Sequence, residues 1–252
     1  MYFFSPLEQF QIYPLISIQL GNFDFSFTNA ALMISIGLIG FLLCLEMIMS
    51  STGQFYFVPK HWQLVVENIY ETVADTLVSN VGEQGQKYFP FIFTLFTFVL
   101  ISNLIGLVPY SFTITSHIIV TFGLALMVFV GVTIISIKEH GLHMLSLFIP
   151  SGTSLALAFL LVPIEIISYV FRPISLSLRL FANMMAGHAL LKVIAGFAWS
   201  MMTAGGLLFL AHFFPLVVLI LLIGLELGVA FIQAYVFTIL SCMYLNDAIN
   251  LH

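Results

Sequence analysis

Two long apolar tracts near the C-terminus hold side chains that hydrocarbon should exclude. Glu165, Arg172, Arg179, Asn183, His188 and Lys192 fall in the first, and Glu226, Gln233 and, at its end, Asp247 in the second. Ionisable groups inside a membrane are costly and by default mark an ion path. At about 100° per residue, helical positions seven apart return to within roughly 20° of one direction. Glu165, Arg172 and Arg179 are seven apart and form one stripe, and Asn183, four beyond Arg179, stays close to it. His188 is nine residues beyond Arg179, about 13 Å further along and turned to the opposite side. Glu226 and Gln233, also seven apart, share a face of the second helix.

The chemistry follows from the residue types. A guanidinium stays charged at any working pH, so Arg179 cannot relay a proton; it can repel one or pair with a carboxylate. Glu165, His188 and Glu226 can each take up and release a proton. Proton-exchanging groups on both sides of a fixed cation suit two proton paths kept from joining. Plainer readings remain: the stripe could tie two helices together, and Arg172 and Lys192 could extend from helix ends to headgroups. Neither requires a guanidinium in mid-tract, between Leu178 and Leu180.

The elements that carry these groups must lie in lipid. Of 252 residues, 61% are hydrophobic and 7% charged, where a soluble domain carries charge on about a quarter. The apolar runs are continuous, which predicts an all-α polytopic membrane protein and not an alternating barrel. Spans need about 20 apolar residues; 29–49, 88–108 and 118–137 meet this. Tracts 154–193 and 201–244 are each about twice that length and predict two long, strongly tilted helices forming a hairpin, with a turn near Gly196 to Gly206. Pro163 and Pro173 can kink the first. A second reading splits each tract into two spans. Between the first two spans, 60–80 places Glu67, Glu71 and Asp75 opposite Trp62, Val65, Val66, Ile69, Tyr70 and Val73, an amphipathic helix for the membrane surface or a partner.

This gives five membrane helices and one surface helix in a single domain. Lys60, Lys87 and Lys138 would share the synthetic side, putting the N-terminus outside and the C-terminus inside. A net charge of −5 without a basic patch excludes a nucleic-acid reader. Cys44 and Cys242 lie far apart in apolar runs, which gives neither a disulfide nor a metal site support. His140 and His143 sit beside Lys138 and Glu139, where an interfacial place is the plainer reading. Met1 to Asp24 lacks the basic start of a signal peptide. No cofactor is expected.

The run Arg172-Pro173-Ile174-Ser175-Leu176-Ser177-Leu178-Arg179-Leu180-Phe181-Ala182-Asn183-Met184-Met185-Ala186-Gly187-His188 resembles the signature of subunit a of F-type ATP synthases, P-x-S-L-x-x-R-L-F-x-N-x-x-A-G. Gln233, in Phe231-Ile232-Gln233-Ala234-Tyr235, matches the family's glutamine in the last helix. The resemblance continues through Ser102-Asn103-Leu104-Ile105-Gly106-Leu107-Val108-Pro109-Tyr110 back to Ser5-Pro6-Leu7-Glu8-Gln9-Phe10. Many bacterial members are similar but carry an acid at the position of His188 and a histidine at that of Glu226. That exchange fits two groups facing each other across the hairpin.

The resemblance implies a non-catalytic subunit offering two offset half-channels to a rotating c-ring, so that proton flow drives ATP synthesis. His188 and Glu226 would line the outer half-channel, with Asp247 a further candidate, and Glu165 the inner one. Arg179 would be the barrier and the partner of passing ring carboxylates, oriented by Asn183 and Gln233. Implied partners are the c-ring, peripheral stalk subunit b and other F0 subunits, the bilayer, and the proton as cargo. The implied location is the mitochondrial inner membrane, with a bacterial inner membrane as the alternative. Rival classes are a secondary transporter, which usually shows internal repeats, and a structural assembly subunit, which would not need the Arg179 stripe.

Overall fold

The structure, a computed structural model, describes residues 8–21, 23–50, 61–108, 111–141 and 155–250. Lys60, Pro109, Tyr110, His143 and Ser5 to Leu7, all used above, lie outside these. Among the described residues, seven α-helices follow a small β-hairpin: α1 Asn29–Ser50, α2 His61–Val81, α3 Phe89–Gly106, α4 Ile118–His140, α5 Leu155–Ala204, α6 Leu207–Ala211 and α7 Phe213–Ile249. Four segments, Glu83–Gly106, Ile118–His140, Phe159–Ala204 and Phe209–Ile249, are long and apolar enough to cross a membrane, and Asn29–Leu43 of α1 is a shorter apolar helix. The chain is an all-α polytopic membrane protein. α1, with 22 residues, is about 33 Å long, close to the roughly 30 Å of a hydrocarbon core.

α5 runs unbroken for 50 residues through both Pro163 and Pro173, about 75 Å of helix. It is one helix and not two spans. It also ends later than expected: Gly196 stays helical, because one interior glycine costs only about 1 kcal/mol. The stop comes at Gly205 and Gly206, both at positive φ (70° and 62°), a conformation only glycine adopts freely. Residues 201–204 therefore belong to α5, not to the start of the next helix.

The β-hairpin departs from the all-helical expectation. β1 (Pro14–Ile16) pairs antiparallel with β4 (Phe27–Thr28), and β2 (Gln19–Leu20) with β3 (Phe23–Asp24). Phe23, Phe25 and Phe27 alternate with Asp24, Ser26 and Thr28, the period-two pattern of a strand.

The described chain divides into two compact units. The first holds the hairpin and most of α1, the end of α3 with its link to α4, and the halves of α5 and α7 nearest their connection. There Gly37 of α1 lets Ile101 and Ile105 of α3 approach closely, and Asn103 of α3 donates from Nδ2 to the Ala230 carbonyl of α7 (3.3 Å). The second unit holds α2, the start of α3, α4, and the far halves of α5 and α7. Within it Val73, Leu77 and Val81 of α2 are buried, and Tyr70 packs its ring on Phe89 and Phe93 of α3. Glu67, Glu71 and Asp75 remain exposed along α2. Three element ends meet in this unit: Lys87 bonds Glu139 at the end of α4 (2.5 Å), and His140 Nε2 lies 2.9 Å from the Ile249 carbonyl at the end of α7. A carbonyl only accepts, so Nε2 carries the hydrogen.

Candidate functional site

In the first unit, α5 and α7 run side by side, and His188 faces Glu226. His188 Nδ1 is 3.5 Å from Glu226 Oε1, with the side chains 12% and 5% exposed. Neither Glu226 oxygen nor His188 Nε2 has a hydrogen-bond partner among the described residues. Burying polar atoms in this way costs stability, so fold stability does not explain the pair. It is a titratable acid held against a titratable base.

The local backbone makes room for this contact. Gly187 precedes His188, and a Cβ added there would lie 2.7 Å from Glu226 Oε1 and 3.2 Å from its carboxyl carbon. The carboxyl thus occupies the notch that the missing side chain leaves. One turn beyond Glu226, the Asn103 amide reaches the Ala230 carbonyl, and its Oδ1 is buried without a partner. Seven residues along α7 from Glu226 is Gln233; seven back along the antiparallel α5 from His188 is Phe181, two residues from Asn183. Gln233 is half-buried and Asn183 exposed.

The second unit holds the cationic stripe. Arg172 Nη1 donates to Asp247 Oδ2 at 2.9 Å. Its guanidinium lies 5.4 Å from the Tyr169 ring centre and 5.1 Å from that of Tyr244, within cation–π range. Tyr169 carries the network to α4, with its hydroxyl 3.0 Å from Thr133 Oγ1 and its ring 4.9 Å from that of Phe129. Arg179 behaves differently. α5 buries Leu176, Ser177 and Leu180 and turns Leu178 and Arg179 outward, both exposed. Among the described residues Arg179 has no ion-pair partner, although Tyr244 lies within its electrostatic reach. Glu165, on the same stripe, is half-buried.

The structure thus brings together His188 with Glu226 and Arg172 with Asp247, and gives Arg179 no ion-pair partner among the described residues. Asp247, a candidate for the outer path, is engaged by Arg172 within the second unit. Lys192 is half-buried. Sequence reasoning missed Gly187, Tyr169 and Tyr244. Both tyrosines had a signal, standing three residues before Arg172 and Asp247 respectively, one helical turn away. Among the described residues no three His, Cys, Asp or Glu converge as metal ligands.

Fold and site together define a helical membrane protein with a buried acid–base pair and an exposed cation, groups that suit proton exchange. Residues 30–246 match the family model described as ATP synthase A chain. The chain is 62% identical to ATP synthase subunit a of Pylaiella littoralis over 250 residues, covering 99% of this chain and all of that one. It is 51% identical to the same subunit of Marchantia polymorpha (98% and 99% covered) and 50% identical to that of Chondrus crispus (98% and 97%). The chain belongs to the ATP synthase A chain family, the proton-translocating subunits of the F0 membrane sector.

Proposed function

We propose that this chain moves protons through two offset half-channels that serve a c-ring, with Arg179 as the barrier between them. The supporting observation is the contrast between a buried acid–base pair, His188 with Glu226, and an exposed guanidinium at Arg179 that has no ion-pair partner among the described residues. A proton entering from the outer side passes the pair and neutralises a ring carboxylate, which can then face lipid because its desolvation cost has fallen. After nearly a full turn the carboxylate releases its proton on the inner side, where Glu165 receives it. Arg179 favours the ionised carboxylate and repels protons, so neither path leaks into the other. A membrane potential supplies about 2.3 kcal/mol per charge per 100 mV, and separate paths turn that energy into rotation.

Asp247 belongs with Glu165 in this reading, because its partner Arg172 is on the Glu165 stripe. Asn183 and Gln233 orient Arg179. The chain is non-catalytic and assembles with the c-ring, the peripheral stalk subunit b and other F0 subunits. Its location is the mitochondrial inner membrane; the algal and plant relatives support an organelle over a bacterial membrane.

Exchange of the pair tests the reading. Glu226→Gln slows proton flux through the assembled complex. The double exchange His188→Glu with Glu226→His restores a substantial part of it, because one acid and one base still face each other. A double variant no faster than either single change would contradict the paired role.

A further inference from the structure

The hairpin that precedes α1 has no counterpart in the proton path. Its strands pair β1 with β4 and β2 with β3, the Phe25 amide donates to the Ile18 carbonyl between the two ladders (2.9 Å), and its base is fixed to the first residue of α1. The Asn29 amide donates to the Tyr13 carbonyl (3.1 Å), Asn29 Nδ2 to the Gln11 carbonyl (3.1 Å), and Asn29 Oδ1 accepts from the Tyr13 amide (3.2 Å). Thr28 ends β4 and Asn29 begins α1, with no linker between hairpin and helix. Ile12, Tyr13, Leu15, Ile16, Ile18 and Phe25 are 45–64% exposed. The first 59 residues contain no Lys or Arg, and the hairpin holds one charge, Asp24. The Asp24 carboxylate accepts bonds from the Ser26 amide and hydroxyl, which hold it below its usual pKa.

We propose that this hairpin is an interfacial anchor that lies in the headgroup layer of the membrane at the outer end of α1, with its apolar side chains on the acyl-chain boundary. Three observations select lipid as the occupant. A two-stranded hairpin alone is marginal in water and needs a surface to rest on. The nearest apolar phase is the bilayer that α1 itself enters, and the bolted Asn29 junction keeps the hairpin beside it. The cross-strand hydrogen bonds of the two ladders also lower the cost of immersion, since unpaired groups are what lipid penalises. The absence of basic residues means that apolar and aromatic contact drives this binding, not attraction to anionic headgroups. Zwitterionic lipid therefore suffices.

The test uses the assembled complex reconstituted in phosphatidylcholine vesicles, with a spin label on Ile16→Cys in one preparation and on Phe25→Cys in another. The two sites lie on opposite arms, so one poorly folded variant does not decide the result. Both labels are expected to collide several-fold more readily with dissolved oxygen than with a water-soluble nickel chelate. Their depth should not change when phosphatidylserine is added. Labels freely open to the nickel chelate would overturn the proposal in favour of a solvated hairpin. Labels shielded from both reagents would overturn it in favour of a protein partner, and a depth that requires phosphatidylserine would overturn the charge-independent mechanism.

Discussion

Gly187 and Glu226 share one space: the carboxyl of Glu226 sits where a side chain on residue 187 would have to be, 2.7 Å from the position of its Cβ. Helix α5 therefore carries glycine here in spite of the roughly 0.5–1 kcal/mol that an interior glycine costs relative to alanine. On propensity alone Gly187→Ala would stabilise the helix. The added Cβ would instead push aside the buried Glu226 carboxyl, and overpacking of this kind costs up to about 1–3 kcal/mol. If that strain is felt in the transfer step, proton flux falls roughly 5- to 150-fold while the chain still assembles. Flux into vesicles, compared with the amount of assembled complex, checks this, and unchanged flux would remove the notch from the account.

The Arg172–Asp247 pair is half-buried and flanked by two aromatic rings. Asp247→Asn removes the charge that the guanidinium pairs with and should cost up to about 1.5–3 kcal/mol, the range for a hydrogen bond to a charged group. A cycle with Arg172→Met and the double variant should show coupling of about 0.5–3 kcal/mol in the unfolding of the detergent-solubilised complex. Strict additivity would show that the pair is incidental.

Lys87 and Glu139 form the opposite case. They are the closest ion pair of the described residues, yet their side chains are 53% and 36% exposed. Exposed pairs contribute little to stability, so Lys87→Ala should leave the unfolding transition nearly where it is. The difference from the parent protein should shrink further as salt is raised, because about 1 M salt shortens the screening length to 3 Å. A large, salt-insensitive loss would mean that Lys87 does more than pair with Glu139.

The legible part of this protein was what periodicity carries. Seven-residue spacing placed Glu165, Arg172 and Arg179 on one stripe, and length with apolarity located the membrane helices. Contacts between helices were less accessible. The Gly187 notch depends on how closely α7 approaches α5, and glycine in an A-G pair gives no sign of that distance. The tyrosines around Arg172 come from two helices, so neither sequence neighbourhood alone predicts the cage. The hairpin was in the sequence, in the alternating Phe23 to Thr28, but lay in a short segment where helix-length patterns dominate. Helix ends are less legible, because a lone interior glycine such as Gly196 does not stop a helix, whereas the positive-φ pair Gly205 and Gly206 does.

Arg179 carries the central claim, and replacing it with alanine in the assembled complex tests that claim most directly. A neutral, short side chain removes both the barrier and the partner for ionised ring carboxylates. Proton-driven ATP synthesis by the Arg179→Ala complex should fall to background while ATP hydrolysis by the soluble head is retained. Synthesis at the parent rate in that complex would contradict the account.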